Sequence, residues 1–466
     1  VTVQGATEAG QVHAGAGGPG ATRVRRRIVR GSIWVFSGRI AASACGLFVA
    51  ASLARILHHQ VLGTYFLILN IVTIGSTIGE MGLDRTVVRY VAASLATDDP
   101  GRARRTVRNV LILGTFGSLV SSSVLVLGLG SVLGSHIFHS PVAPSLLVLA
   151  AAWLVATALQ GLLAETLRGF QRFGLATVFG GLLVNAFSMV VFGGAWLLDV
   201  HPALALVVAT SLALTSMGAV LAALFVARRT RRLGPLGDAP AGEIFQVSWP
   251  LLITNLSSFA VGTGIDLWVV GIYANRSDVA VYGAASRLSV LLAMPFLMVA
   301  QVVPPIIAEL HAKGRKHQLE RALRSVSTVA SIPAIAVMAL FVVAGGWVMG
   351  TIYGPYFSRG SLVLVVLSAS TLVLVATGSS GNALMMTGNQ RIMMRITIFS
   401  AALSVSMELV LVHPFGMVGV ASATCVAQVV QNLLQLLVAR RRLGIWTQAT
   451  LSLRPVRTAL RMMVRR

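Results

Sequence analysis

Lysine, cysteine and acid are scarce in this 466-residue chain. Of its 37 basic residues only Lys313 and Lys316 are lysine, a skew that reflects GC-rich codons rather than chemistry. Its two cysteines, Cys45 and Cys425, both lie inside apolar runs, where a thiol behaves as a small hydrophobe. A disulfide or thiolate–metal framework is therefore excluded. The nine histidines are scattered, and the pairs His58/His59 and His136/His139 have no carboxylate or thiol nearby, so no metal site is expected. The 14 acidic residues form no paired-carboxylate constellation. Connections such as "LDVHP" (198–202) and "YGPYFSRG" (353–360) are too short to present one to a sugar. A membrane-embedded polysaccharide polymerase or glycosyltransferase is thus a weak alternative, and no cofactor is expected.

What the chain does have is apolar length. It is 56% hydrophobic and 11% charged, well outside the range of soluble globular proteins. Twelve apolar runs approach the length needed to cross roughly 30 Å of hydrocarbon at 1.5 Å per residue. They fall near 32–55, 61–80, 108–133, 144–164, 174–198, 202–227, 247–272, 279–303, 323–345, 361–380, 392–412 and 416–438. Backbone in lipid must satisfy its own hydrogen bonds, and the alternating ten-residue segments of a membrane barrel are absent, so these runs are expected to be helices. Pro295 and Pro333 lie within them and are expected to kink them.

The formal charge of +23 would suggest nucleic acid in a soluble chain. Its distribution says otherwise. Segments 23–30, 85–108, 168–172, 228–232, 313–324, 391–395 and 440–466 hold 32 of the 37 basic residues, and all fall on one side if the N-terminus is cytoplasmic. Both termini are therefore expected inside, with the basic loops touching anionic inner-leaflet lipid and no nucleic acid as partner. The expected location is the cytoplasmic membrane of a bacterial cell.

Residues 1–22, rich in Gly and Ala, show no apolar periodicity, so 1–30 reads as a disordered tail with a basic flank. "ASAC" (42–45) loosely resembles a lipoprotein cleavage site, but most of the apolar stretch follows Cys45 and Arg39 interrupts the would-be signal core. An uncleaved first span is the better reading. The chain also repeats itself. "VLGTY" (61–65) recurs as "VAVYG" (279–283), "GRARRTVRN" (101–109) as "GRKHQLERALR" (314–324), and "GFQR" (169–172) as "GNQR" (388–391), all at nearly one offset and at equivalent loop positions. Two six-helix halves, 31–227 and 244–439, are expected, joined by a cytoplasmic linker at 228–243 and followed by a basic tail at 440–466. Six is even, so the halves have the same orientation, as in transporters that open alternately to the two sides.

With these halves, "LGTY" opening the second span, "GEMGLDRTVVRYVA" closing it and "ETLRGFQRFG" after the fourth, the chain resembles the oligosaccharide flippases of the multidrug/oligosaccharidyl-lipid/polysaccharide exporter superfamily over residues 30–440. The resemblance implies an all-α integral membrane fold, twelve transmembrane helices in two parallel six-helix halves forming a V-shaped bundle around a central cavity. It also implies a substrate, a polyprenyl-diphosphate-linked oligosaccharide carried from the inner to the outer leaflet, with a polysaccharide polymerase and glycosyltransferases as functional partners. A cation- or proton-coupled drug antiporter of the same superfamily is the serious rival, because fold does not fix function.

Charges within spans cost roughly 2.5–3.5 kcal/mol at a helix centre on insertion scales, so they usually face a protein interior or a water-filled cavity. Arg39 in span one and Arg287 in span eight bracket the expected midplane from opposite halves. A guanidinium fork suits a diphosphate, and the resemblance supports this, since related lipid II flippases use arginines of the same two helices. The alternatives are an ion pair between Arg287 and Asp266 and snorkelling of Arg39 to inner headgroups. Arg55, at the outer end of span one, is expected to attract a departing headgroup. Asp266 and Glu408 are the span carboxylates placed to load a cation or proton, although Glu408 also reads as an outer-vestibule or interfacial acid. Glu80, Asp84, Arg85 and Arg89 cluster at the inner end of span two. They read as a charged helix end or, for Glu80, Asp84 and Arg85, as a cytoplasmic gate. A non-transporting scaffold would account for the spans but not for the buried charges.

The charge distribution predicts that single cysteines in the 85–108 and 313–324 loops are reached by impermeant reagents only after permeabilisation, and cysteines at 273–278 in intact cells. External labelling of either basic loop would refute this topology.

Overall fold

The computed structural model describes residues 19–129, 144–238, 240–261, 264–300, 303, 307, 310, 311 and 313–450. The expected tail over residues 1–18, the His136/His139 pair and the end of the basic tail at 451–466 lie outside them. Among the described residues the chain is helical without a strand, and ten helices are long and apolar enough to cross a membrane.

The chain before residue 232 builds α1 (Pro19–Ile56), α2 (His59–Gly79), α3 (Leu83–Ala96), α4 (Pro100–Ser123, widening to a π-helical stretch at Val124–Leu129), α5 (Pro144–Gly169), α6 (Phe173–Thr177), α7 (Leu183–Leu197) and α8 (Leu204–Arg231). After it come α9 (Ala241–Val261), α10 (Asp266–Tyr273), α11 (Arg276–Ala300), α12 (Lys316–Tyr353), α13 (Ser361–Thr377), α14 (Ser380–Met386) and α15 (Gln390–Leu443). Among the described helix starts, that of α4 carries a side-chain cap. Asp99 accepts from Arg102 N at 2.9 Å, with Pro100 in the first turn, where the missing N–H costs nothing. The basic flank at 23–30 lies on the first turns of α1 rather than in a tail.

Two features separate the ten apolar helices from the twelve apolar runs. The run at 247–272 is divided between α9 and α10, so Asp266 opens a new helix. The last two runs share α15, which is interrupted at Gly416 with φ 54° and ψ −135°. A Cβ on Gly419 would stand 2.0 Å from the Leu411 carbonyl oxygen. Residues eight apart in a continuous helix are separated by about 12 Å. α15 therefore doubles back at Pro414–Gly416 as a hairpin, with proline and a left-handed glycine making the turn.

Two seams join the earlier and later parts of the chain. At the end of the bundle where α1 turns into α2, α2 packs on α11. A Cβ on Gly63 would lie 1.9 Å from the Arg276 carbonyl oxygen, so the backbones touch. The largest core cluster, including Leu62, Phe66, Leu67, Tyr282, Leu288 and Tyr353, is continuous across this seam. At the opposite, basic end, Ser248 Oγ donates to Thr86 Oγ1 at 3.0 Å, and Arg102 lies 3.7 Å from Glu243. Between the seams an apolar groove of about 340 Å³ runs along α2, α4 and α9, walled by Ile78, Phe116, Leu154, Trp249 and Trp268.

Helices in lipid associate by close backbone approach, with little hydrophobic drive. Gly63→Val is expected to lower the melting temperature of the purified protein by an amount equivalent to about 1–3 kcal/mol of overpacking. Gly174→Ala, with nothing within 4 Å of the new methyl, should leave it unchanged. Equal melting temperatures for both variants would contradict this packing.

Candidate functional site

The break between α9 and α10 delivers Asp266 into the interior. Its side chain is fully buried, as are those of Tyr282 on α11 and Ser404, Glu408 and Thr424 on the two arms of α15. The Tyr282 hydroxyl donates to Asp266 Oδ2, and Thr424 Oγ1 reaches the same oxygen at 2.9 Å. Thr424 Oγ1 also lies 3.4 Å from Glu408 Oε1, which accepts from Ser404 Oγ at 2.7 Å. Asp266 and Glu408 are 142 positions apart in sequence (408 minus 266), yet both reach the same threonine hydroxyl. Asp266 Oδ1 and Glu408 Oε2 accept no hydrogen bond from another described residue in the geometry of the site. Two carboxylates in an apolar interior without an adjacent arginine require a shared proton or a small oxygen-seeking cation between them. Glu408 is thus neither a vestibule nor an interfacial acid. No group of three or more His, Cys, Asp or Glu able to hold a metal occurs among the described residues.

Arg287 is not the partner of Asp266. Tyr282 and Arg287 are five positions apart on α11, which places them about 140° apart around the helix at 100° per residue. Tyr282 faces Asp266, and Arg287 faces α2 instead. Its guanidinium carbon lies 3.9 Å from the centroid of the Phe66 ring, and Nη1 donates to the Gly283 carbonyl at 2.8 Å. No ion pair with a carboxylate forms at Arg287 among the described residues. Tyr353 and Tyr65 are within electrostatic reach of it, and the buried Tyr353 hydroxyl has no partner. Further toward the α1–α2 corner, Arg55 Nη2 donates to the Thr351 carbonyl at 2.5 Å. His59 stacks on Tyr356 with centroids 4.0 Å apart, and Arg359 pairs with Asp278 at 2.5 Å. Arg55 therefore helps to tie α1 to α12 across the seam.

The remaining charges gather toward the basic end. Arg39 is exposed on α1. Glu80 is half-buried with its carboxylate against Gly161 of α5, where an added Cβ would stand 2.4 Å from Oε1. Glu165, one turn on from Gly161, is held by Arg168 at 2.6 and 2.8 Å and lies within electrostatic reach of Asp84, Arg39 and Arg85. Asp84 Oδ1 is buried without a partner, and Arg85 is exposed. Glu80, Asp84 and Arg85 thus belong to a wider group that takes in Arg39 and Glu165.

Sequence reasoning missed Glu165, Phe66, Tyr353 and Thr424. It noticed Tyr282 only as the repeat partner of Tyr65. "ETLR" did carry a signal, a Glu–Arg pair at i,i+3 near the end of a span. Nothing in the sequence marked Phe66, Tyr353 or Thr424.

Residues 28–311 match the family described as polysaccharide biosynthesis protein, which is more than half of the chain. The chain belongs to this family. Among curated proteins, this polysaccharide biosynthesis protein is similar to a probable low-salt glycan biosynthesis flippase, Agl15, of Haloferax volcanii, with 22% identity over 194 residues. That match spans 42% of this chain and 41% of the archaeal protein. Among solved structures, a MATE family multidrug resistance transporter of the MOP superfamily in an inward-facing conformation superimposes with a TM-score of 0.67 at 16% identity, over 89% of this chain and 98% of that one. The lipid II flippase MurJ, inward closed, gives 0.65 at 15% identity over 87% of each chain. These likenesses establish a multi-pass helical membrane fold of the MATE and MurJ kind, in agreement with the resemblance read from the sequence.

A proton or cation that neutralised Asp266 and Glu408 would link stability to its concentration. The melting temperature of the purified protein should rise with sodium or with proton activity, and Glu408→Gln should flatten whichever response the parent shows. A parent that responds to neither would contradict a loadable pair.

Proposed function

We propose that the protein is a flippase. It carries a polyprenyl-diphosphate-linked oligosaccharide from the inner to the outer leaflet of the cytoplasmic membrane by alternating access, for cell-surface polysaccharide biosynthesis. The family match and the similarity to an archaeal glycan flippase support the substrate class. In this reading the chain makes twelve crossings. α9 and α10 form one broken span, and the hairpin arms of α15 count as two. The halves are 31–227 and 244–439, both termini are cytoplasmic, and the seam at the α1–α2 corner faces outward.

The observation that carries the proposal is Arg287, a guanidinium inside the bundle with no carboxylate on it among the described residues, near a buried tyrosine hydroxyl that lacks an acceptor among them. Donors left without acceptors in a water-poor interior are costly unless an anion visits them. A diphosphate supplies that anion, with the sugars in the cleft and the polyprenyl tail in lipid. Arg39, nearer the basic end, meets the headgroup first, and Arg55 meets it on departure once the outer seam opens. Glu80, Asp84 and Arg85, with Glu165, gate the cytoplasmic mouth. The Asp266–Glu408 pair couples the cycle to a proton or cation. A cation-coupled drug antiporter would need the same acids, but it gives no use to a cationic site at mid-depth.

Charge and fork geometry make separable demands, so Arg287→Lys and Arg39→Lys should retain partial glycan export in a flippase-deficient strain, and the alanine variants should lose most of it. Export at the parental level by both alanine variants, present at normal amounts in the membrane, would refute the anion site.

A further inference from the structure

We infer that Phe66 is a positioning residue for the anion site: its ring fixes the Arg287 guanidinium from across the seam, and does so only while the seam is closed. The inference rests on the flippase reading of the preceding section and deepens it.

The two residues come from different parts of the chain, Phe66 from α2 and Arg287 from α11. The guanidinium carbon lies 3.9 Å from the ring centroid, which is van der Waals contact for a planar cation on a π face. Phe66 is itself 1% exposed, wedged beside Tyr65, which stacks on Trp153. The ring cannot swing away without disturbing that packing. Gly283, one turn before Arg287, makes room for it, since a Cβ there would be 2.5 Å from Phe66 Cδ2 and 3.3 Å from Arg287 Nη1. The guanidinium is thus held on one face by Phe66 and at one nitrogen by the Gly283 carbonyl. Contact of the guanidinium carbon with the ring leaves N–H donors of the fork for a phosphate to accept in pairs.

Since α2 and α11 lie in different halves in the flippase reading, parting the halves at this seam removes the ring. The guanidinium then regains water and rotational freedom, and its affinity for the diphosphate falls. Binding is tight in the inward-open state and weak in the outward-open state, with no change in the residues that touch the lipid. By reciprocity the bound headgroup favours the closed seam, so opening with the lipid aboard must be driven from elsewhere, as a coupling ion would do.

Binding to the full-length purified protein tests this, with geranylgeranyl diphosphate as probe and geranylgeraniol as its uncharged counterpart. The parent should prefer the diphosphate. Phe66→Met keeps the volume but removes the π face, and should cut diphosphate affinity roughly tenfold while leaving the alcohol unchanged. Gly283→Ala, which displaces the ring without touching its chemistry, should mimic Phe66→Met. In an Arg287→Ala background Phe66→Met should have no further effect. A merely structural Phe66 would weaken both probes alike, or act equally with and without Arg287, and either result overturns the inference. An unchanged preference in both Phe66→Met and Gly283→Ala overturns it while leaving the flippase reading intact. A parent that does not distinguish diphosphate from alcohol overturns both.

Discussion

Hydrocarbon gives no hydrogen bonds, and most of what is specific in this structure follows from that constraint. Hydroxyls in the spans mostly satisfy themselves one turn back. Ser52 donates to Phe48 O, Thr64 to Gln60 O and Thr328 to Arg324 O, each within its own helix. Such residues leave no polar debt and allow close helix approach. Asp266 and Glu408 have no such local remedy. A carboxylate accepts but cannot donate, so each must draw hydroxyls from other positions: Tyr282 and Thr424 for Asp266 and Ser404 for Glu408, with Thr424 Oγ1 also 3.4 Å from Glu408. Satisfying two acids thereby ties α10, α11 and both arms of α15 together. Two oxygens are still left over, and a sealed polar island with surplus acceptors is what a proton or cation site requires.

The seams are built from different materials. At the basic end a buried hydroxyl pair, Ser248 with Thr86, and an exposed ion pair, Arg102 with Glu243, accompany apolar packing of Ile244 in one cluster with Leu83 and Val87 and close backbone approach of Gly82 to Ser248. The exposed pair contributes only about 0–1 kcal/mol, so the buried contacts hold this end. At the α1–α2 corner the contacts are aromatic and partly desolvated: His59 stacks on Tyr356 and the Arg287 guanidinium lies over Phe66, with the Gly63 backbone pressed against Arg276. Each aromatic or cation–π contact contributes about 0.5–2 kcal/mol. The core cluster that is continuous across this seam adds apolar packing to them.

The helical membrane fold and the approximate limits of most apolar helices were legible in the sequence because they depend on length and composition alone. The ion-coupling candidates Asp266 and Glu408 were legible too, since acids in spans are rare, and the structure brings them together. Rotational placement was not legible. Asp266 and Arg287 were placed at similar depth from their helix ends, and depth alone allowed an ion pair. The pair is absent because Arg287 points about 140° away from Tyr282, which has the Asp266 face, and which face meets α10 depends on packing. Phe66 and Tyr353 escaped notice for a related reason, since an aromatic in an apolar helix looks the same whether it fills space or orients a cation. The repeat at Tyr65 and Tyr282 shows how far symmetry goes. Both are buried, but one stacks on Trp153 and the other donates to a carboxylate, so equivalent positions took up different chemistry.

That difference places two opposite electrostatic demands on one helix. Within residues 282–287, about 7.5 Å of α11, one face supplies the donor to an acid pair and another carries the guanidinium that meets α2. No proline or non-helical residue interrupts this stretch, since Pro295 lies two turns further on. A stretch of helix this short behaves as a rigid body, and packed interiors shift between discrete arrangements rather than deforming continuously. Tyr282 and Arg287 therefore keep a fixed geometry relative to each other, so a displacement of one carries the other with it. The acid pair and the seam with α2 meet on this one short stretch of α11.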